Sequence, residues 1–143
     1  ACGESYGRAK QAFELGRYQE ARSILESAIS IDSMPARLHF VLGRVEERQG
    51  NVEVAAKEYK LARDLDALRF RAPSEFNSIL RAVALRSKAH IAEVEQLIEA
   101  KSDHGIIGNQ FVLEHVHLNV DGYFLAAKAF VQALAENDVL APR

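Results

Sequence analysis

The first half of the chain repeats its apolar residues with a helical period. Apolar positions spaced by three and four residues predict four amphipathic helices, at roughly 4–15, 18–30, 35–49 and 52–65. Pro35 suits the first turn of the third helix, where its missing N–H costs nothing. Gly16 and Gly50 follow the first and third helices, where a chain that turns needs positive φ. The pattern predicts two successive helical hairpins.

The second half of the chain has a different pattern. Residues 67–72 look short and extended, and Pro73 stops them. A helix opens at Pro73, and its apolar positions keep a period near 3.6 (Phe76, Ile79, Leu80, Val83 and Ala84). Residues 89–100 fit either a short strand or a helix, and 103–121 are read as loop and irregular chain. A last helix runs from Gly122 to about Asn137.

This last helix is apolar on most of its faces. Its polar residues Lys128, Gln132 and Glu136 form one narrow stripe at spacing four. Such a helix favours burial on several sides, and each large side chain buried contributes ~1.5–3 kcal/mol. We expect residues 122–137 to pack on the helix at 73–86 and the second hairpin, or to form a homo-oligomer by exchange into a neighbouring chain. The remaining alternative is a larger core in a longer protein.

A period of thirty-four residues relates the two hairpins. Gly16, Ala21, Leu25 and Ala28 recur as Gly50, Ala55, Tyr59 and Ala62. The second copy adds Leu42-Gly43, whereas the first has Arg8-Ala9. These positions resemble the tetratricopeptide repeat, whose period is the same. The resemblance covers residues 2–66 as two repeats, about 2–35 and 36–66. It implies a mostly α fold, with a helical-hairpin array of the α-α superhelix type and residues 67–143 as a C-terminal appendage.

The tetratricopeptide resemblance also implies a peptide-binding groove lined by the first helix of each repeat. The family's groove positions fall on Tyr6, Lys10, Phe13, Glu14, Arg37, Phe40, Arg44, Glu47 and Arg48. Their cations and aromatic rings suit an acidic or carboxylate-bearing peptide. The alternative is a solvated helix face whose long stems cover apolar surface. We therefore expect an interaction module with a peptide or protein partner.

Composition and charge exclude several classes of partner and of protein. The net charge is −2 and both signs are spread evenly, so nucleic acid is a poor candidate partner. Cys2 is the only cysteine, which excludes an internal disulfide framework and leaves the cellular compartment open. Apolar runs fall far short of the ~20 residues that span a bilayer, so we expect a soluble chain. No cofactor motif is present.

One cluster has the residue types of acid–base chemistry. Glu114 precedes His117 by three residues, just before the last helix. A carboxylate that orients a histidine suits a general base. The Glu114-His115-Val116-His117 stretch, together with the junction at 64–71, resembles the C-terminal end of SGNH (GDSL-type) hydrolases that carry inserted tetratricopeptide repeats. That resemblance implies an ester hydrolase in which His117 is the base and Glu114 the acid, within the tail of a split α/β domain.

The chain departs from that family in two respects. Glu114 stands where the family has aspartate, and no Gly-Asp-Ser block for a nucleophilic serine is present. Ser5, in Gly3-Glu4-Ser5, is better interpreted as a helix N-cap than as a substitute nucleophile. We therefore expect a fragment of a larger protein that does not turn over an ester by itself.

A metal site is the rival interpretation of the same region. His104, His115 and His117 lie close in sequence to Glu114 and Asp121. However, no His-x-x-x-His pair lies on a helix, so a metal is not our assignment. The plain structural alternative is that these residues form a polar loop that caps the last helix, with Asn119 or Asp121 as N-cap. His39 and His90 have no partner at a recognisable spacing.

Overall fold

The computed structural model describes residues 2–68, 70–114 and 116–139. These residues form seven α-helices and one short 3-10 turn at Asp103–Gly105. The chain divides into two compact units, residues 1–69 and 70–143. The helices of the first unit are α1 (Cys2–Glu14), α2 (Tyr18–Ile31), α3 (Ala36–Arg48) and α4 (Val52–Asp64). Those of the second unit are α5 (Ser74–Ser87), α6 (Val94–Lys101) and α7 (Val120–Glu136).

The turns at Gly16 and Gly50 have the same hydrogen-bond pattern. Gly16 has φ +72° and Gly50 has φ +81°, a region that glycine enters without steric cost. At the first turn, Gly16 N–H donates to Phe13 O (3.0 Å) and Arg17 N–H to Ala12 O (2.9 Å). At the second, Gly50 N–H donates to Glu47 O (3.1 Å) and Asn51 N–H to Glu46 O (2.9 Å). Both are Schellman caps, as the sequence predicts.

The first unit consists of two helical hairpins that share a core. α1 packs on α2, α3 packs on α4, and α3 also contacts both α2 and α1. Leu25, Leu38 and Val45 are completely buried at the centre. Ala21 and Ala55 are 0 % exposed, so each second helix approaches its first helix closely. Tyr59 occupies the space over Gly43, where a Cβ would lie 2.8 Å from the ring.

The second unit is held together by fewer contacts. α7 packs chiefly on α6. α5 is tied to the start of α6 by polar contacts: Arg81 donates twice to Glu93, both at 2.8 Å, and Asn77 Nδ2 donates to Glu95 at 2.5 Å. The ambiguous segment 89–100 resolves into irregular chain followed by α6. None of the described residues forms a strand; Val112 and Leu118 make a single antiparallel bridge.

The expectation that residues 122–137 pack on the helix at 73–86 is wrong, because within the second unit α7 packs chiefly on α6. Phe124 is 70 % exposed, Phe130 58 % and Leu134 38 %. The face that packs inward consists mainly of small residues, with Gly122 and Ala129 buried. α6 is only 8 residues long and covers one side of a 17-residue helix. The large side chains therefore remain on the outside.

Two details of the helix starts also differ from expectation. Ser5 lies inside α1, which begins at Cys2, so its N-cap interpretation is wrong. Pro35 is the N-cap of α3 and not a residue of its first turn; its φ of −71° and ψ of 102° are extended. Asn119 is the N-cap of α7, as one of the two predicted alternatives, and its side chain accepts from Gly122 N–H at 2.9 Å.

Candidate functional site

A row of arginines from α3 lies over aromatic rings of α1. The Arg37 guanidinium carbon is 5.3 Å from the centre of the Tyr6 ring. Arg44 and Arg48 both lie over the Phe13 ring, at 4.4 and 5.9 Å. The structure thus brings together five of the residues predicted for the groove. Among the described residues, neither Arg44 nor Arg48 forms an ion pair.

Phe13 supports this surface from below and is not itself open to a ligand, as a groove residue would be. It is only 8 % exposed, with Tyr18 packed against it at 5.6 Å between ring centres. Arg44 and Arg48 cover the rest of its face. A ligand that reaches this position therefore meets guanidinium groups, and the ring serves to support them.

The remaining predicted groove residues are engaged within the chain. Phe40 is 50 % exposed and packs on Tyr59 with the ring centres 5.8 Å apart. The Tyr59 hydroxyl donates to Glu47 Oε2 at 2.6 Å. Burial, and after it this hydrogen bond to Glu47, raises the pKa of Tyr59 above its ordinary value. On α1, Lys10 and Glu14 form an exposed pair at 3.9 Å. Glu14 is thus paired with a cation on this face, and Glu47 accepts a hydrogen bond from the uncharged Tyr59 phenol.

A tight loop precedes α7 and is closed by backbone hydrogen bonds. Leu113 N–H donates to His117 O at 2.8 Å, and Asn119 N–H donates to Phe111 O at 3.0 Å. Asn119 also donates from Nδ2 to Gln110 O at 2.8 Å, so one residue caps α7 and ties the loop together. Gly122 is required for the contact with Phe111, because a Cβ there would lie 2.2 Å from Phe111 O.

This loop brings Glu114 and His117 into contact. Glu114 Oε1 meets His117 Nδ1 across the loop. Both side chains are accessible, with 44 % of the Glu114 and 63 % of the His117 side chain exposed. A carboxylate at Nδ1 fixes the imidazole so that Nε2 is directed to a proton-transfer partner. The longer arm of glutamate does not prevent this geometry.

The described residues of the metal interpretation do not assemble into a site. Within residues 2–68, 70–114 and 116–139, no group of three His, Cys, Asp or Glu side chains is placed to hold a metal ion. His104 lies in the 3-10 turn at φ +53° and is exposed. Asp121 lies in the first turn of α7. His115 lies outside the described residues.

The first unit has two buried polar groups that its sequence pattern does not indicate, His39 and Glu46. His39 is 5 % exposed; its Nδ1 lies 2.7 Å from Glu58 Oε2 and its Nε2 lies 2.9 Å from Ser33 O. A carbonyl only accepts, so Nε2 carries hydrogen and a further proton is shared between His39 and Glu58. Glu46 is 1 % exposed. The His39–Glu58 pair has no local spacing that could reveal it, since the two residues lie on different helices.

Comparison of the chain with known protein families, with curated proteins and with solved structures finds no match in any of the three. In the part of the chain that the structure describes, no helix combines the length and the apolar character that crossing a bilayer requires. Because no known protein matches, the two candidate sites are supported by their contacts alone. They are the arginine row of α3 and the Glu114–His117 pair.

Proposed function

We propose that residues 2–66 are a tetratricopeptide-type interaction module that binds an acidic or carboxylate-bearing peptide along the arginine row of α3. The observation that supports this most is the position of Arg44 and Arg48 over Phe13, at 4.4 and 5.9 Å. Guanidinium groups are matched in shape to carboxylates and form bidentate, charge-assisted hydrogen bonds with them.

The aromatic support makes these arginines better receptors than unsupported ones. An exposed cation–π contact is worth about 0.5–1 kcal/mol, and it restricts a flexible side chain before any ligand arrives. Less conformational entropy then remains to be lost on binding. The α-α superhelix and the assignment to the tetratricopeptide family are part of this proposal.

The test is binding of a fluorescein-labelled peptide pool rich in Asp and Glu, measured by fluorescence anisotropy. We expect Arg44→Ala with Arg48→Ala to weaken binding at least about tenfold, which corresponds to ~1.4 kcal/mol. A matched control is Arg8→Ala with Lys57→Ala, which removes the same charge from exposed positions of α1 and α4. A Lys-rich pool of equal length should not bind.

Equal loss in both double variants would show that net charge alone attracts the pool. No binding by the unaltered chain would contradict the proposal directly. Comparison of pools with free and amidated C-termini then separates recognition of a terminal carboxylate from recognition of acidic side chains.

A second candidate function is favoured by the Glu114–His117 contact. We propose that this pair is the acid and base of an SGNH-type ester hydrolase whose nucleophilic serine comes from sequence outside this chain. A histidine held by a carboxylate at Nδ1 accepts a serine proton at Nε2 and later returns it to the leaving alcohol.

The coding sequence around these residues gives the cheapest test. A Gly-Asp-Ser block that follows a predicted strand, upstream in the same reading frame, is expected. With that segment expressed, hydrolysis of p-nitrophenyl esters should fall by several orders of magnitude in His117→Ala. His90→Ala should leave it unchanged, since His90 is exposed and lies outside the loop. An upstream frame without a serine block removes the hydrolase proposal and leaves the peptide module untouched.

A further inference from the structure

The outer face of α7 carries an apolar stripe with a regular spacing. Ala127 lies at its midpoint and is itself exposed. Large apolar side chains lie three, four and seven residues to either side of Ala127: Val120, Tyr123, Phe124, Phe130, Val131 and Leu134. Their exposed fractions run from 38 % for Leu134 to 85 % for Val120. This spacing is the one that packs a helix against another helix.

We propose that α7 pairs with α7 of a second copy of this chain, antiparallel, about a two-fold axis at Ala127. Rotation by 180° about this axis places each large side chain of the stripe opposite another large side chain of the second copy. Val120 then faces Leu134 of the second copy, Phe124 faces Phe130, and the two Ala127 residues face each other. The single small residue thus falls where two helix axes must approach most closely, and the aromatic rings fill the space on either side. This proposal is independent of the peptide-binding one.

The area of the stripe agrees with a dimer. At about 200 Å² for each fully exposed aromatic side chain, the three aromatic rings and three aliphatic side chains expose on the order of 600 Å² per copy. That is the upper end of the largest apolar patch found on a typical monomer. Two copies would bury about 1,200 Å², the lower bound of specific protein interfaces. Antiparallel pairing also sets opposite helix dipoles side by side.

Disulfide trapping tests the axis itself. The only native cysteine is removed as Cys2→Ser, and Ala127→Cys is added. Helices 8–10 Å apart, each with Cα atoms ~2.3 Å from its axis, bring the two residue 127 Cα atoms to about 3.4–5.4 Å, which reaches the disulfide range at the larger helix separations. Ala135→Cys is the matched control: it is also exposed, but at ~1.5 Å rise per residue its two copies lie about 24 Å apart.

Under mild oxidation we expect a covalent dimer from the Ala127→Cys chain and at most traces from the Ala135→Cys chain. Equal cross-linking of both, or of neither, overturns the proposal. Both cysteine variants replace an exposed alanine, so they should fold. The cross-linking result can therefore be interpreted even if a more disruptive substitution in α7 prevents folding.

Light scattering across a concentration series tests whether a second copy of the chain covers the stripe. The unaltered chain should reach twice its 15.9 kDa mass, and Phe124→Lys should stay at the mass of one chain with unchanged circular dichroism. Phe76→Lys is the control, since Phe76 is 53 % exposed on the apolar face of α5. A dimer that Phe76→Lys dissociates and Phe124→Lys does not would assign the contact to α5 and refute self-pairing of α7. A chain that stays monomeric at every concentration refutes it as well.

Discussion

Asn51 binds Glu46 twice, once through its backbone and once through its side chain. Its N–H donates to the Glu46 carbonyl at 2.9 Å, and its Nδ2 donates to Glu46 Oε2 at 2.7 Å. The other carboxylate oxygen of Glu46 lies 3.2 Å from Arg22 Nε. Hydrogen bonding to Glu26, and after it the charge of Glu46, raises the pKa of Arg22. A carboxylate that is 1 % exposed thus connects α2, α3 and the turn that follows α3.

We expect Glu46→Ala to destabilise the first unit by about 2–4 kcal/mol. The substitution leaves Asn51 without its side-chain acceptor and removes the buried partner of Arg22. The measurement is the midpoint of urea unfolding at pH 7. Glu26→Ala is the control: it also removes a carboxylate from Arg22, but Glu26 is exposed, so its effect should stay below ~1 kcal/mol. Equal effects of the two variants would contradict a special role for the buried carboxylate.

Two glycines inside helices should respond to alanine in opposite directions. A Cβ at Gly43 would lie 2.8 Å from the Tyr59 ring, which Glu47 and Phe40 hold in place, so Gly43→Ala should cost about 1–3 kcal/mol. A Cβ at Gly7 would meet nothing within 4 Å, so Gly7→Ala should stabilise α1 by about 0.5–1 kcal/mol. Thermal unfolding followed by circular dichroism measures both. A stable Gly43→Ala chain would mean that the Tyr59 ring moves freely.

The second unit should lose stability in acid through Glu93. Hydrogen bonding to Arg81 lowers the pKa of Glu93 below its ordinary value of 4.5. A depressed pKa in the folded state contributes stability above the unfolded pKa, and this contribution is lost as pH falls through the folded pKa. The stability difference between the unaltered chain and Glu93→Gln should therefore shrink as pH falls below 4.5. Urea unfolding at pH 7 and in acid tests this. Arg81→Gln should remove the same pH-dependent part, whereas parallel pH profiles would argue against the pair.

Gly122 should be essential for the Glu114–His117 contact. A Cβ at this position would lie 2.2 Å from Phe111 O and 3.1 Å from Leu118 Cβ, so Gly122→Ala must displace the loop from α7. The expected cost is about 1–3 kcal/mol, together with a change in the His117 ring resonances in NMR spectra. Gly108→Ala is the control, since a Cβ there meets nothing within 4 Å. Unchanged His117 resonances in Gly122→Ala would show that the loop holds its shape without this contact.

The sequence predicts local features well because their causes lie within a few residues. The helix period and the turns at Gly16 and Gly50 place α1 to α4 within two residues of their observed bounds. Asn119, as N-cap, and the three-residue spacing of Glu114 and His117 are likewise local. Each of these features depends on one turn of chain.

Features that depend on distant partners could not be predicted. His39 and Glu58 lie nineteen residues apart on different helices, and no periodic pattern links them. The exposure of Phe124 depends on which face of α7 meets the short helix α6, and a helix that is apolar on most sides does not reveal that choice. The N-cap prediction for Ser5 is wrong because α1 already begins at Cys2, and the residues before Ser5 carry no strong stop signal.

The matching turns at Gly16 and Gly50 have a consequence for how such a chain can change length. Each turn uses the N–H of the glycine and the N–H of the residue after it, and the two turns have the same pattern, so a joint that connects one glycine to the residue after the other restores both hydrogen bonds. Recombination between the two glycine codons would insert or delete thirty-four residues, one α2–α3 unit, without breaking a helix. Gene duplication can therefore lengthen this chain by complete thirty-four-residue units, and the boundaries between units would lie at the glycine turns.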